Sequence, residues 1–401
     1  MLGTPLSPWP CFSDEEAEAV AAVLRSNRVN YWTGEEGRQF EREFADWVGT
    51  RHAVALMNGT VALDVALKAL GVGTGDEVVV TPRSFIASAS CVVNAGAIPV
   101  FADVERDSGN ISAETIRPVL TDRTRAIIVV HLGGYPADMD PIMELARSRG
   151  IKVVEDCAQA HGARYRGRSV GSIGDIGAWS FCQDKIMTTA GEGGMVTVHD
   201  DDLWKGMWSY KDHGKSWDAV YEREHPPGFR WLHESFGTNW RMIEVQAAVG
   251  RIQLRNMTKW SGARNANARG IHDALLPLAD ESGPVRLAPF VTSESGADVH
   301  AYYRYYCYVR PESLAPGWDR DRIAAEINAS GVPCLQGSCS EIYREKAFED
   351  SGLAPAQRLP CAMELGETSL AFLVHPTLSS AEIEKTASVA AKVIGAAART
   401  A

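Results

Sequence analysis

Two hydrophobic rhythms alternate along the first half of the chain. Short apolar runs at residues 53–57, 78–81, 98–101, 126–131 and 151–155 are bounded by turn residues and predict strands. Between them lie helical patterns. Leu63, Leu67 and Leu70 share one face over 61–70, residues 85–95 form a helix stopped by Gly96, and further helical segments fall near 113–120 and 141–149. An apolar run ending in Trp179-Ser180-Phe181 and another at 195–198 add two strands. Strands alternating with helices imply crossover connections, hence an α/β fold with a mainly parallel sheet and helices on both faces.

The flanks read differently. Ser13-Asp14-Glu15-Glu16 is a capping box opening a helix, and Phe40, Phe44 and Trp47 mark one face of a second helix. Between these helices, Asn30-Tyr31-Trp32-Thr33-Gly34 offers either a pocket rim or core aromatics. Residues 201–212 are helical. Residues 213–236, with Trp217, Pro226, Pro227 and Trp231, read as an irregular segment of the kind that forms lids or linkers. Helix returns over 241–257, and a long helix around 258–276 is ended by Pro277. Pro284, Pro289 and Pro311 open a C-terminal part with a β-like run at 302–309, a helix near 321–330 and a terminal helix from Ser380. The expected division is a large domain at 1–257 and a smaller α+β domain at 258–401. No internal repeat or low-complexity tract is present.

A chain of 401 residues exceeds what one core usually holds, in keeping with two domains. Its 45% hydrophobic and 23% charged residues are the balance of a water-soluble globular protein. The net charge of -11 with no Lys/Arg run excludes nucleic acid or an anionic membrane as the main partner. An anionic substrate would need local positive groups. The eight cysteines include no CxxC pair, no metal-ligand spacing and no disulfide framework. The N-terminus lacks a basic region followed by an apolar core, and no stretch reaches membrane-spanning length. These features point to a reducing cytoplasm.

In open α/β sheets, ligands bind beyond the carboxyl ends of the strands. Four groups fall at such ends. Asn58-Gly59-Thr60 lies between a strand and a helix, where backbone N–H groups at a helix N-terminus suit a phosphate. Phe85 follows the run ending at Thr81. Asp156 and Gln159 follow the run at 151–155. Ser180 and Lys185 end or follow the next one, and Gly191-Glu192-Gly193-Gly194 closes the Lys185 loop. Each alone has a plainer reading, as helix cap, core aromatic or backbone partner. Together they match pyridoxal 5′-phosphate chemistry. Asp156 would pair with the ring nitrogen, Phe85 stack on the ring and Gln159 bond the phenolic oxygen. Gly59, Thr60 and Ser180 would hold the phosphate, and Lys185 would form the Schiff base. The glycines of Gly71-Val72-Gly73-Thr74-Gly75-Asp76 follow a helix, whereas a dinucleotide fingerprint follows a strand, so an oxidoreductase of that type is rejected.

At this point the chain resembles the DegT/DnrJ/EryC1/StrS sugar aminotransferases, fold type I enzymes that depend on pyridoxal phosphate. The likeness runs from about Tyr31 to the C-terminus. It rests on Gly59-Thr60-Val61-Ala62-Leu63, Ser84-Phe85-Ile86-Ala87, Glu155-Asp156-Cys157-Ala158-Gln159-Ala160-His161-Gly162, Ser180-Phe181 with Lys185, and Gly237-Thr238-Asn239-Trp240-Arg241-Met242. Lys211-Asp212-His213-Gly214 is similar to a segment near the active-site mouth. The resemblance implies that an amino group passes from an amino acid donor, glutamate, to a keto sugar attached to a nucleotide. It also implies a homodimer in which Asn239 reaches the neighbouring subunit's cofactor phosphate. Two rivals share this fold, a sugar dehydratase and a non-catalytic cofactor-binding sensor. The resemblance implies that the dehydratases replace the Schiff-base lysine by histidine, whereas Lys185 is present here. Asn58 stands where Ser is commoner, and Gly337-Ser338-Cys339-Ser340-Glu341-Ile342-Tyr343 lacks the histidines many relatives carry near the nucleotide sugar. His161 is expected to be structural.

Overall fold

A computed structural model describes residues 6–225, 228, 230–291 and 298–399, so Pro226 and Pro227 lie outside the described residues. In chain order the first strands are β1 (His52–Leu56), β2 (Glu77–Val80), β3 (Ile98–Phe101), β4 (Thr124–Val130) and β5 (Lys152–Asp156). A small hairpin of β6 (Arg164–Tyr165) and β7 (Arg168–Ser169) precedes β8 (Ile176–Ser180) and β9 (Gly194–Val198). Seven of these form one sheet in the order β1-β9-β8-β5-β4-β2-β3. The pairs β3·β2, β2·β4, β4·β5 and β5·β8 are parallel. β9 runs antiparallel to both β8 and β1, so it alone is reversed in this sheet.

Alternate residues of each strand enter different cores, which shows that both faces are covered. Val54, Leu56, Val78, Val80, Ala126 and Ile128 pack into one apolar cluster with the helices Gly59–Ala69 and Ala87–Asn94. On the opposite face, Ala53 and Ala55 join Phe40, Phe44 and Trp179, while Val79, Ile127 and Val129 join the helix Met139–Arg149.

The C-terminal part carries an antiparallel sheet ordered β10 (Val285–Leu287), β11 (Tyr305–Val309), β13 (Ser369–Phe372) and β12 (Cys334–Leu335). Cys307, Leu370 and Phe372 pack beneath the helices Arg320–Ala329 and Ser380–Ala397. The molecule is therefore α/β with a mostly parallel central sheet and a smaller antiparallel-sheet unit.

Three local features differ from the sequence reading. The helices expected at 241–257 and 258–276 are one helix, Glu244–Leu275, whose first half packs with Phe40 and Met242 and whose second half packs in the C-terminal core. No Gly or Pro breaks its hydrogen-bond ladder at the expected junction. The segment expected to be irregular at 213–236 contains the helix Trp217–Tyr221, capped by Ser216. Trp217 packs 4.6 Å from Trp204 and 5.0 Å from Trp208, an aromatic contact that local polarity gives no hint of. Finally, β11 starts at Tyr305 rather than at Tyr302, whose φ of 46° lies outside strand geometry.

Candidate active site

The carboxyl ends of β1, β2, β5 and β8 open into one cavity of about 880 Å³. Gly59, Thr60, Phe85 and Asp156 line it, as do Gln159, Ser180 and Lys185. Asn239 does not line this cavity. It lies exposed beside Asp212 in a short antiparallel bridge, while its neighbour Arg241 bridges to Leu56 at the end of β1.

Asp156 is buried at the end of β5. Its Oδ2 accepts from the Ser88 hydroxyl at 2.7 Å and its Oδ1 from the Ala158 N–H at 3.1 Å, so the carboxylate is held from two sides. Lys185 follows β8. Its Nζ sits 5.1 Å from the ring centroid of Tyr303 and makes no hydrogen bond or ion pair among the described residues, which leaves the amine available. The loop around it is tied down. The Tyr303 hydroxyl donates to Asp184, the Thr188 N–H donates to Gln253 Oε1 at 2.8 Å and Gln246 donates to the Glu192 carbonyl at 2.7 Å. Burial acts against the Asp184 charge, but Lys185, the Tyr303 hydroxyl and Arg304 outweigh it and hold this carboxyl below the usual range.

At the other end of the cavity the backbone forms a cradle. The Asn58 side chain accepts from the Val61 N–H at 3.0 Å, capping the helix and leaving the N–H groups of Gly59 and Thr60 at its open first turn. A Cβ on Gly59 would stand 2.5 Å from Ser180 Cβ, and one on Gly194 would stand 2.2 Å from the Asn58 carbonyl oxygen. Only glycine lets the helix N-terminus approach the Ser180 hydroxyl this closely. Asn58 thus serves the helix, and Gly59, Thr60 and Ser180 supply the donors that suit a phosphate.

Gln159 is oriented by its amide. Its Oε1 accepts from the Gly133 N–H at 2.8 Å, which turns the Nε2 donor toward Ser338, 3.5 Å away. Phe85 is 66% exposed at the cavity and is not a core residue. The wall at 337–342 is stitched to the loop before Phe85. The Ser84 N–H donates to the Cys339 carbonyl at 3.1 Å, and the Ile342 N–H donates to the Pro82 carbonyl at 2.9 Å. Within this wall Ser338 lies against Tyr306, where a Cβ on Gly337 would meet the ring at 2.3 Å.

His161 is fully buried between Trp179 and Phe181, and neither ring nitrogen makes a hydrogen bond of good geometry among the described residues. Burial, then Lys185 and Arg264, push its pKa down to about 3, so it is neutral at physiological pH. His131, Glu155 and Cys157 come within 4.8 Å of one another, but the first two are already consumed by hydrogen bonds. Glu155 accepts from Gly171, Ile173, Gly174 and His131, and His131 Nδ1 accepts from Ala137.

The sequence reading missed Ser88, Tyr303 and Arg304. Ser88 stands four residues after Ser84, the spacing of one helix face, and Ser84 and Ser88 are 2.8 Å apart. Tyr303 and Arg304 sit just before a recognisable strand. The Arg304 guanidinium stacks 4.3 Å over Tyr303 at the cavity wall and forms no ion pair among the described residues.

Residues 10–392 match the family described as the DegT/DnrJ/EryC1/StrS aminotransferase family. The chain is similar to the crystal structure of an aminotransferase from Psychrobacter cryohalolentis, with 59% identity and a TM-score of 0.95 over 98% of this chain and 100% of that one. It is 43% identical over 304 residues to the GDP-perosamine synthase of Caulobacter vibrioides, covering 75% of this chain and 76% of that protein. It is 35% identical over 365 residues to the dTDP-3-amino-3,4,6-trideoxy-alpha-D-glucose transaminase of Streptomyces venezuelae, covering 91% and 88% respectively.

Proposed function

The chain belongs to the DegT/DnrJ/EryC1/StrS aminotransferase family, and on that premise we propose that it is a pyridoxal phosphate-dependent enzyme that aminates a nucleotide-linked keto sugar. The observation that carries this reading is the shared cavity. A free amine at Lys185, a braced carboxylate at Asp156 and a phosphate cradle at Gly59, Thr60 and Ser180 all face it. These residue types fit the cofactor's chemistry, with an amine for its aldehyde, a carboxylate for its ring nitrogen and N–H and hydroxyl donors for its phosphate. Pyridoxal phosphate, when bound, supplies an electron sink for the carbon that carries the transferred nitrogen.

Each residue then has a defined task. Lys185 would hold the cofactor covalently through Nζ. Its amine, when not so engaged, would take the proton from the donor's α-carbon as general base and, once protonated, give one back as general acid. Asp156 would pair with the ring nitrogen, Gln159 would donate to the phenolic oxygen and Phe85 would cover a ring face. Gly59, Thr60 and Ser180 would bind the phosphate, and Asn239 would reach the phosphate of the neighbouring subunit in a homodimer. L-Glutamate is the donor in this reading, and the product serves a cell-surface polysaccharide or a secondary metabolite. Residues 1–257 form the cofactor-binding unit and 258–401 the smaller one, with the long helix shared between them. All eight cysteines are free thiols, which supports a cytoplasmic setting, and no helix among the described residues is long and apolar enough to cross a membrane.

Purified protein should show a visible absorption band that shifts on addition of L-glutamate, and a panel of keto-sugar nucleotides should restore the first spectrum. A protein without a visible band, whose Lys185 stays unlabelled after borohydride reduction, would end the cofactor assignment.

A further inference from the structure

The backbone of Lys185 is pinned on both sides. Its N–H donates to the Cys182 carbonyl at 3.0 Å, and its carbonyl accepts from the indole N–H of Trp9 at 2.8 Å. Trp9 lies far away in sequence, in a strap that precedes the first helix. That strap is fastened to the opposite end of the chain. The Ser7 N–H and hydroxyl donate to the two carboxylate oxygens of Glu382 at 2.6 and 3.0 Å, and the Thr377 hydroxyl donates to the Pro8 carbonyl at 2.7 Å. The Trp9 ring itself is wedged edge-on to Trp260 at 5.2 Å, parallel to His375 at 5.9 Å, and 5.1 Å from the guanidinium of fully buried Arg264.

We propose that Trp9 is a positioning residue: its N–H fixes the Cα of Lys185, and the strap links the C-terminal helix Ser380–Ala397 to the catalytic loop. A lysine that must first hold a ligand and then move a proton needs its anchor fixed to within about 0.5 Å. The Cys182 bond lies within the same loop and moves with it. The Trp9 bond comes from outside the loop, from a strap whose Leu6 packs against the C-terminal core and whose Ser7 is bonded to Glu382, and so supplies an outside reference. The catalytic part of this inference rests on the role given to Lys185 above, while the mechanical link does not.

Trp9→Phe tests it, because the ring stays wedged while the donor is lost. In the protein stripped of cofactor, amide hydrogen exchange over 182–187 should rise while exchange in β1 stays unchanged. In the loaded enzyme, kcat should fall roughly five- to tenfold with the donor KM unchanged. The primary isotope effect with α-deuterated donor should grow. Ser7→Ala loosens the strap without touching the ring and should move both readouts the same way by a smaller factor, so poor folding of Trp9→Phe leaves the test intact. Exchange and isotope effect both equal to wild type would overturn the proposal. Raised exchange in a protein whose Lys185 cannot be trapped by borohydride would overturn only the catalytic part and leave the link standing.

Discussion

The Ser88 hydroxyl donates to Oδ2 of Asp156 at 2.7 Å, and Ser84 stands 2.8 Å behind it. Because Ser88 gives its hydrogen to the carboxylate, it accepts from Ser84. The pair forms a short relay from the Phe85 loop to the end of β5. Ser88→Ala should lower kcat by about three- to tenfold and cost about 1.5–3 kcal/mol of stability, since a hydrogen bond to a charged carboxylate contributes about that much. Ser88→Thr should retain most of the activity. Steady-state kinetics beside urea unfolding checks this, and an alanine variant as active as wild type would remove Ser88 from the site.

Asn239 and Lys185 are proposed to serve different cavities of one dimer. Mixing inactive Lys185→Ala chains with Asn239→Ala chains should then regain activity. In a symmetric pair, half the randomly formed dimers are mixed and each has one intact site, giving roughly a quarter of wild-type turnover. No recovery after subunit exchange would place Asn239 on its own chain's cavity or outside the chemistry.

Glu155, fully buried, accepts four hydrogen bonds, at 2.9 Å from Gly171, 2.7 Å from both Ile173 and Gly174, and 3.0 Å from His131. Burial alone would raise its pKa, but the His131 and backbone donors outweigh burial and hold it below the ordinary 4.5. Its stabilising contribution is therefore present above that value and is lost as pH falls through the folded pKa. Glu155→Gln should cost about 3 kcal/mol at pH 7 and progressively less below pH 4.5, by denaturant unfolding across pH.

Three histidines add to this loss of stability in acid. Burial holds His161, His300 and His375 at about 3 against an ordinary 6.5, with Arg264 adding to the effect at His161 and His375. The unfolded chain takes up protons that the folded chain refuses, so stability should fall as pH drops below 6.5. Each fully refused proton costs about 1.4 kcal/mol per pH unit. His161→Phe removes one of these refusals without breaking a hydrogen bond of good geometry. The variant should be no less stable at pH 7, and its stability should fall less steeply between pH 6.5 and 5 than that of the wild type.

The residues that proved legible in sequence sit where an apolar run stops. Asp156 and Ser180 end strands that are buried from Val153 and from Ile176 onward, and Gly59 follows a strand buried from Ala53 onward, so run length alone brought them to one edge of a sheet. The reversal of β9 was not legible, because a fully buried strand carries the same uninterrupted apolar pattern in either direction. β12 has two residues and β13 opens with Ser369, too little for a period to show. Trp9 left no local signal at all. Its role appears only when the two ends of the chain meet.

The helix Glu244–Leu275 is about 48 Å of unbroken rod, and its two halves belong to different cores. Such a beam leaves the C-terminal sheet no free tether on which to swing. Opening the cleft by rigid rotation would mean flexing that beam or prying side chains from its flank. Substrate entry and product departure are therefore expected to be gated by exposed side chains such as Phe85 at the rim, and a chain cut at residue 257 should lose both units together.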